Sequence, residues 1–396
     1  ENSASRDMYL SQFSYRENAG KQIEWLIDNV RLGEINLVVG KNSSGKTRTL
    51  NALTDLVQML KGRGSMATGP VSYELKFRNE DDFIRYELEC DPNTIVREKL
   101  WVGGEAVLER GAEGVGVIKY EATPGSIFLD FEIPHDQLAC FAKRDRLQHP
   151  FLEILHGWAL SLRRFDFSGD LGKTSYVLKS DFHEKEVDWS MTNASLVPLV
   201  TVASDRFPDF KEGVLEDMRQ IGYSLEDFGV VRFSERYGSE ARDRFAVYTS
   251  ERGLEKQVTQ RDMSQGMFRA FSLLVQLNYY FRCGYKGFVI IDDIGEGLDF
   301  MRAKQLVQLL TARAEDKGIQ LIMSTNDSFI MNAVDIRNWA VIVREGHKIS
   351  LYNYENSKAI FEEFKYTGLN NFDFYASEFF RSGFQDAAED EEGEGA

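Results

Sequence analysis

The residues of this chain that could do chemistry together begin at Gly40-Lys41-Asn42-Ser43-Ser44-Gly45-Lys46-Thr47. Their types and spacing follow G-x-x-x-x-G-K-[ST]. The glycines let the backbone curl, so that a row of N–H groups and a helix N-terminus face an anion. Lys46 would reach the outer phosphates of a nucleoside triphosphate, and Thr47 would offer its hydroxyl to Mg²⁺. The elements that must position this turn are legible on both sides of it. Ile35 to Val39 predicts a buried strand before the turn, and Leu50, Leu53, Val57 and Leu60 mark the apolar stripe of a helix after it.

Three later stretches carry polar groups in places that suit the same chemistry. Ser264-Gln265-Gly266 opens a helix that continues through Leu273, Leu274 and Leu277. A hydroxyl, free N–H groups and the helix dipole together attract an anion. Phe288-Val289-Ile290-Ile291 then predicts a central strand buried on both faces and ending in Asp292-Asp293. Asp292 would hold Mg²⁺ through water, and Asp293 would polarise the attacking water. Leu298-Asp299 begins another amphipathic helix, with Leu306, Val307 and Leu310 on its stripe. A second buried strand, Ile319 to Met323, ends in Ser324-Thr325-Asn326-Asp327, at the sheet edge where α/β folds place their ligands.

The remaining chain supplies the frame. Tyr9 to Tyr15 and Ile23 to Ile27 read as early strands; Phe13 or Tyr15 is the candidate to stack on a base, or both are sheet residues. A break at Lys61 to Ser65 precedes period-two runs at Tyr73–Phe77, Phe83–Leu88, Leu100–Val102, Val117–Tyr120 and Ile127–Phe131, which predict an antiparallel sheet. From Gln137 to Leu162 the period is helical, with Leu152, Leu155, Trp158, Ala159 and Leu162 on one stripe. Residues 165–200 show no clear pattern. A helix is expected over 208–227, strands over Val230–Phe233 and Phe245–Tyr248, and a hairpin at Trp339–Val343 and Ile349–Tyr352. An aromatic-rich segment, Phe361 to Phe380, leads into the acidic run Glu389 to Glu394. No heptad pattern is sustained, so no long coiled-coil arm is expected.

Composition limits the classes of function. The 396 residues are 43% apolar and 28% charged, as in an ordinary globular protein. No apolar stretch is long enough to span a bilayer and no secretory pattern opens the chain; Glu1 as first residue points to a trimmed N-terminus. Cys90, Cys140 and Cys283 lie far apart without metal spacing, which fits a reducing cytoplasm. A net charge of −16 is the wrong sign for a surface that neutralises many phosphates, so DNA binding by this chain alone is not favoured. The basic clusters Lys143-Arg144-Asp145-Arg146 and Arg163-Arg164 are short and read as solvated helix faces.

The order of these features (phosphate loop, Ser-x-Gly helix start, apolar strand with Asp-Asp then Leu-Asp, strand with Ser-Thr-Asn) resembles the ABC-type ATPase heads of the SMC and OLD-like families. It is most similar to the compact prokaryotic AAA-type ATPases of anti-phage systems such as PARIS, Septu and the OLD-family retrons. The likeness covers residues 5–60 and 255–375. It implies an α/β fold: a P-loop ABC-type head with a mainly parallel core sheet, an antiparallel β-subdomain and a helical lobe. The implied organisation is 1–135 and 255–380 as the two halves of the head, 136–254 as an inserted lobe, and 381–396 as an acidic disordered tail. Carried over by residue, Gly40 to Thr47 is the Walker A loop, Ser264, Gln265 and Gly266 the signature, Asp292 the Walker B acid and Leu298-Asp299 the D-loop. Gln137 is matched to the metal-binding Q-loop glutamine, with Gln148 the alternative.

The resemblance implies ATP and Mg²⁺ as cofactors, with Lys46, Asp293 and Asn326 in catalysis. It also implies a cytoplasmic head-to-head dimer or higher homo-oligomer, in which one protomer's signature caps the γ-phosphate held by another. Two departures stand out: Asp293 replaces the usual glutamate and Asn326 the usual switch histidine, which cannot be matched in titration near neutral pH. Slow hydrolysis is therefore expected. About 70 residues follow Asn326, too few for a Toprim nuclease domain of typical size. The leading expectation is a defence-type regulator that holds a separate effector, a nuclease or toxin. The alternatives are a DNA-clamping repair or chromosome ATPase and, third, the ATP-binding subunit of a transporter.

Overall fold

The chain divides into two units, residues 1–162 with 334–396 and residues 163–333. A computed structural model describes residues 8–64, 68–78, 83–122, 125, 127–178, 192–232, 244–253 and 256–384 of them. Ser65 in the expected glycine break, Phe233 at an expected strand end, part of 165–200 and the acidic run 389–394 lie outside the described residues. The division falls at 162/163 and 333/334. The strand at 163–166 pairs with one strand of the second unit.

In the first unit β1 (Tyr9–Glu17), β2 (Trp25–Arg31) and β3 (Ile35–Val39) precede α1 (Lys46–Leu60). A meander follows: β4 (Val71–Arg78), β5 (Phe83–Asp91), β6 (Thr94–Val102), β7 (Glu105–Arg110), β8 (Val115–Tyr120) and β9 (Ile127–Glu132). The late hairpin β17 (Trp339–Glu345) and β18 (Lys348–Asn353) joins it, giving the order β3-β17-β18-β2-β1-β4-β5-β6-β7-β8-β9. Only β3–β17 and β18–β2 are parallel among these pairs. The meander forms because its alternating apolar residues need one covered face: Tyr73, Leu75 and Phe77 on β4 and Ile84, Tyr86 and Leu88 on β5 are buried. The strand β7 was not read from the sequence, where it lies hidden between two glycine clusters.

Helical structure between Gln137 and Leu162 is shorter than its period suggests. One turn, α2 (Ala139–Ala142), is separated from α3 (Pro150–Ser161) by a turn in which Asp145 Oδ1 accepts the Leu147 and Gln148 N–H groups at 2.8 and 2.9 Å. Pro150 suits a first helical position because its missing N–H has no partner there anyway. The cluster at 143–146 is thus a turn, not a helix face, and Arg144 is spent on Glu153 through two bonds of 3.0 and 2.9 Å.

Two buried charges tie this connection to the meander. Glu98, 0% exposed, accepts the N–H groups of Ala139 and Cys140 and the Tyr86 hydroxyl. Arg110, 1% exposed, donates to the carbonyls of Pro134, His135 and Gln137. The late helices α9 (Tyr354–Phe364) and α10 (Asn371–Ala376) pack by an aromatic cluster in which Phe374 meets Phe361 and Phe364 at 4.7 and 4.9 Å.

The second unit has two sheets. β10 (Arg163–Asp166), β15 (Phe288–Asp292) and β16 (Gln320–Thr325) run parallel in that order. β11 (Val177–Leu178), β12 (Leu225–Arg232), β13 (Arg244–Glu251) and β14 (Val258–Thr259) form an antiparallel sheet around β13. The helices are α4 (Leu196–Arg206), α5 (Phe210–Gln220), α6 (Gln265–Arg282), α7 (Phe300–Lys317) and α8 (Ser328–Ala333). The helix α6 is buried nearly all round instead of on one stripe. Its polar residues are accordingly paired: Ser272 donates to Leu171 O, Gln276 to Thr192 O, and Asn278 to Asp217 at 2.7 Å.

Replacing Arg110 by methionine roughly keeps the volume but strips three carbonyls of their charged donor. The Arg110→Met protein is expected to lose about 3 kcal/mol, read as a lower urea midpoint at unchanged slope. An unchanged midpoint would show that water satisfies those carbonyls.

Candidate nucleotide-binding site

The candidate residues fall in both units, and each set is built by its own elements. In the first unit β3 is fully buried and delivers the chain to Gly40. A Cβ on Gly40 would lie 2.5 Å from Ile342 Cγ2 and 2.6 Å from Ser44 Oγ, so glycine is required there by space. Gly45 is required by conformation as well, with φ +98° and Trp25 where a side chain would go. The Lys46 ammonium sits inside the curve, donating to the carbonyls of Gly40 and Lys41 at 2.8 and 3.1 Å. Ser44 Oγ is buried and without a hydrogen-bond partner among the described residues. A buried hydroxyl left unpaired costs free energy unless a ligand meets it, and phosphate oxygens are acceptors of the right kind. Thr47 is exposed.

Side chains around the loop are held in turn. Trp25 backs Gly45, with the guanidinium groups of Arg48 and Arg344 at 4.0 and 4.8 Å from its ring centroid. Arg48 also pairs with Glu17 at 2.8 Å. Lys41 pairs with Glu378 at 3.3 Å, and Arg381 bridges Glu378 and Glu345 at 2.8 and 2.7 Å. Phe13 and Tyr15 are sheet residues, 2% and 8% exposed, and Tyr15 packs on Tyr73 at 5.0 Å. Trp25, missed in the sequence, is the aromatic residue that touches the loop; its signal was a lone Trp at the start of a strand.

Gln137 is not brought to the phosphate loop. It is exposed before α2, and its carbonyl accepts a bond from Arg110 at 2.5 Å. The next residues carry Phe141 onto Gly62, just beyond the C-terminal end of α1. A helix of 15 residues puts that end about 22 Å from Lys46 and Thr47. The Gln148 carbonyl accepts the Glu121 N–H at 2.9 Å.

In the second unit the ends of β15 and β16 bring together Asp292, Asp293, Ser324 and Asn326. Asp292 is 2% exposed. Its Oδ1 accepts the Ser324 hydroxyl at 2.5 Å and its Oδ2 the Arg164 guanidinium at 3.3 Å. Ser324 Oγ also accepts the Asp293 N–H at 2.9 Å, so one hydroxyl locks both acids to the neighbouring strand. Asp293 adopts φ 53°, a left-handed conformation uncommon for a residue with a side chain. It borders a cavity of about 230 Å³ together with Gly295, Glu296, Asn326 and Asp327. Arg163 and Arg164 are strand residues, not a solvated helix face: Arg163 lies over Tyr280 and Tyr285 at 5.0 and 5.3 Å, and Arg164 meets Asp292.

Ser264 caps α6, its Oγ accepting the Met267 N–H at 3.2 Å. Gly266 lets this helix start press on the turn after β15: a Cβ there would lie 2.1 Å from the Gly297 carbonyl oxygen. Arg269, one turn on, donates to the carbonyls of Glu296 and Gly169 at 3.0 and 3.1 Å and to that of Ser168. Asp299 caps α7, and the Arg302 N–H bonded to its carboxylate holds it below the ordinary carboxylate range. No cluster of three or more His, Cys, Asp or Glu suited to a metal occurs among the described residues. Mg²⁺ needs none, since it binds through one or two protein oxygens with phosphate and water completing the shell. Thr47 and Asp292 are hard oxygen donors of that type.

Among solved structures, the chain is similar to the SMC head bound to the C-winged helix domain of ScpA, with a TM-score of 0.52 and 13% identity over 89% of this chain and 99% of that one. The fold is similar to that of this SMC head. A second likeness is to the SMC head domain with an extended coiled coil, bound to the C-terminal domain of ScpA derived from Pyrococcus furiosus. There the TM-score is 0.49 and the identity 13%, over 90% of this chain and 100% of that one. Residues 166–332 match the family described as "AAA domain, putative AbiEii toxin, Type IV TA system". The ribose import ATP-binding protein RbsA of Oceanobacillus iheyensis is 34% identical over 112 residues, 27% of this chain and 22% of that protein. The chain thus spans less than a quarter of that relative. No described helix is long and apolar enough to cross a membrane.

Removing the Lys46 ammonium deletes the charge expected to face a nucleotide's phosphates, worth a charge-assisted bond or more. Lys46→Ala is expected to weaken ATP binding about 100-fold by calorimetry; unchanged affinity would overturn the reading of the loop.

Proposed function

We infer that this chain is an ATPase that binds MgATP, assembles with further copies through shared nucleotide sites, and hydrolyses slowly. The observation that carries this reading is the phosphate loop itself, with Lys46 folded inside it and the buried Ser44 hydroxyl waiting for an acceptor. Lys46 and the loop N–H groups would take the phosphates, while Thr47 and Asp292 would hold Mg²⁺, which supplies charge neutralisation at the transferring phosphoryl group. Asp293 would accept the proton of the attacking water, and Asn326 would orient it by hydrogen bonding. Ser264 and the N-terminus of α6 would cap the γ-phosphate of a partner copy, where negative charge is favoured.

The slow rate rests on two residues. Asp293 is one methylene shorter than the usual glutamate, which moves its carboxylate by about 1 Å, and such misplacement can cost on the order of 100-fold in rate. Asn326 can donate a hydrogen bond but cannot carry charge toward the phosphate as histidine can. Neither change touches the groups that bind. A long-lived ATP state suits a complex that waits for a trigger. The role proposed for it is to hold or activate a separate nuclease or toxin in prokaryotic anti-phage defence. Support comes from the match of residues 166–332 to a family whose description names a toxin system.

A second reading, an ATPase that clamps DNA, is favoured by the likeness to SMC heads and opposed by the net charge of −16. Purification from the native operon with ATP present, followed by mass spectrometry, separates the two. A stoichiometric effector protein supports the first reading, and ATP-dependent, salt-sensitive retention of duplex DNA without such a partner supports the second.

Two variants test the chemistry. Ser264→Arg should leave ATP binding to the single chain near normal while abolishing ATP-dependent association and turnover; wild-type turnover would rule out a shared site. Asp293→Asn should trap bound ATP through single-turnover measurements. Rapid wild-type hydrolysis, on the order of tens per second without partner or trigger, would sink the slow-switch reading.

A further inference from the structure

Asp292 already has a cation beside it. Its Oδ2 is 3.3 Å from Arg164 Nη2, while Oδ1 is taken by the Ser324 hydroxyl. The pairing is delivered by the strands. Asp166 of β10 is in register with Asp292 of β15, and Arg164 lies two residues earlier in that parallel pair. The Arg164 carbonyl is further anchored by the Thr192 hydroxyl. Side-chain exposures of 20% for Arg164 and 2% for Asp292 make this a largely desolvated pair, not a surface one. A carboxylate that must accept hydrogen bonds from metal-bound water needs the oxygen that Arg164 now occupies.

We propose that Arg164 is a resident counter-ion that closes Asp292 to free divalent metal and yields it only to metal carried in on a nucleoside triphosphate. The proposal rests on the reading of Asp292 as the Mg²⁺-holding acid. A bare divalent ion would set two positive charges beside a third, where low dielectric magnifies the repulsion. Metal bound to a triphosphate arrives as a net anion, for which a guanidinium is a favourable neighbour. Metal and nucleotide then enter as one species, and Arg164 acts through Asp292 as a positioning residue.

The test uses the full chain and Mn²⁺ alone, titrated without nucleotide and followed by electron paramagnetic resonance of the free ion. Parallel calorimetry measures binding of the Mg²⁺ complex of a non-hydrolysable ATP analogue. Arg164→Met is expected to bind Mn²⁺ about tenfold or more tightly than wild type, Arg164→Lys to keep the wild-type exclusion, and Asp292→Asn added to Arg164→Met to abolish the gain. Should the methionine variant not fold, Arg164→Gln, which retains a donor toward Asp292, carries the same expectation. Equal Mn²⁺ affinity in wild type and the neutral variant, with nucleotide binding intact in both, overturns the role of Arg164 alone. Failure of wild type to bind the Mg²⁺–nucleotide complex overturns the underlying nucleotide-site reading as well.

Discussion

A carboxylate taken out of water must be met by hydrogen bonds or by opposite charge, or it costs several kcal/mol. Asp292 is such a group, and much of the second unit is arranged to meet it. Ser324 must stand opposite on β16 to donate its hydroxyl, and β10 must run alongside β15 to bring Arg164 within reach. The same serine oxygen accepts from Asp293 and so holds the chain in its left-handed turn. Charge satisfaction, strand order and the direction of the second acid are therefore one constraint.

The helix α6 extends that constraint to the signature residues. A helix buried on all sides cannot leave polar side chains unpaired, and Ser272, Gln276 and Asn278 each find a partner in the surrounding unit. Near its start, Gly266 and Arg269 grip the turn that follows β15, one by close backbone approach and the other by bonds to carbonyls. Movement of the Ser264 end would have to disturb the Gly295–Leu298 turn beside Asp293. That linkage joins the Ser264 end of the helix to the turn beside Asp293.

The first unit solves a different problem, holding a tight loop in shape. Two glycines are demanded for different reasons, space at Gly40 and conformation at Gly45, while Trp25 and Ile342 wall the loop from behind. The long antiparallel sheet and the aromatic packing of the late helices supply the rigidity, with Glu98 and Arg110 fastening the meander to the chain that follows it. The ion pair between Lys41 and Glu378 is exposed and contributes little by itself.

The sequence alone determined the phosphate loop, the fully buried strands β3, β15 and β16, the meander and the helix start at Ser264. Each of these rests on local spacing, whether of glycines, apolar alternation or a capping serine. Only the tertiary structure decided what required neighbours distant in the chain. It assigned Arg164 to Asp292 across 128 positions, made Ser324 the shared partner of two acids, and set Trp25 rather than Phe13 or Tyr15 against the loop. It also set the Gln137 carbonyl against the buried Arg110. Side-chain pairing across strands follows from strand order, and strand order is not written in any local window of residues.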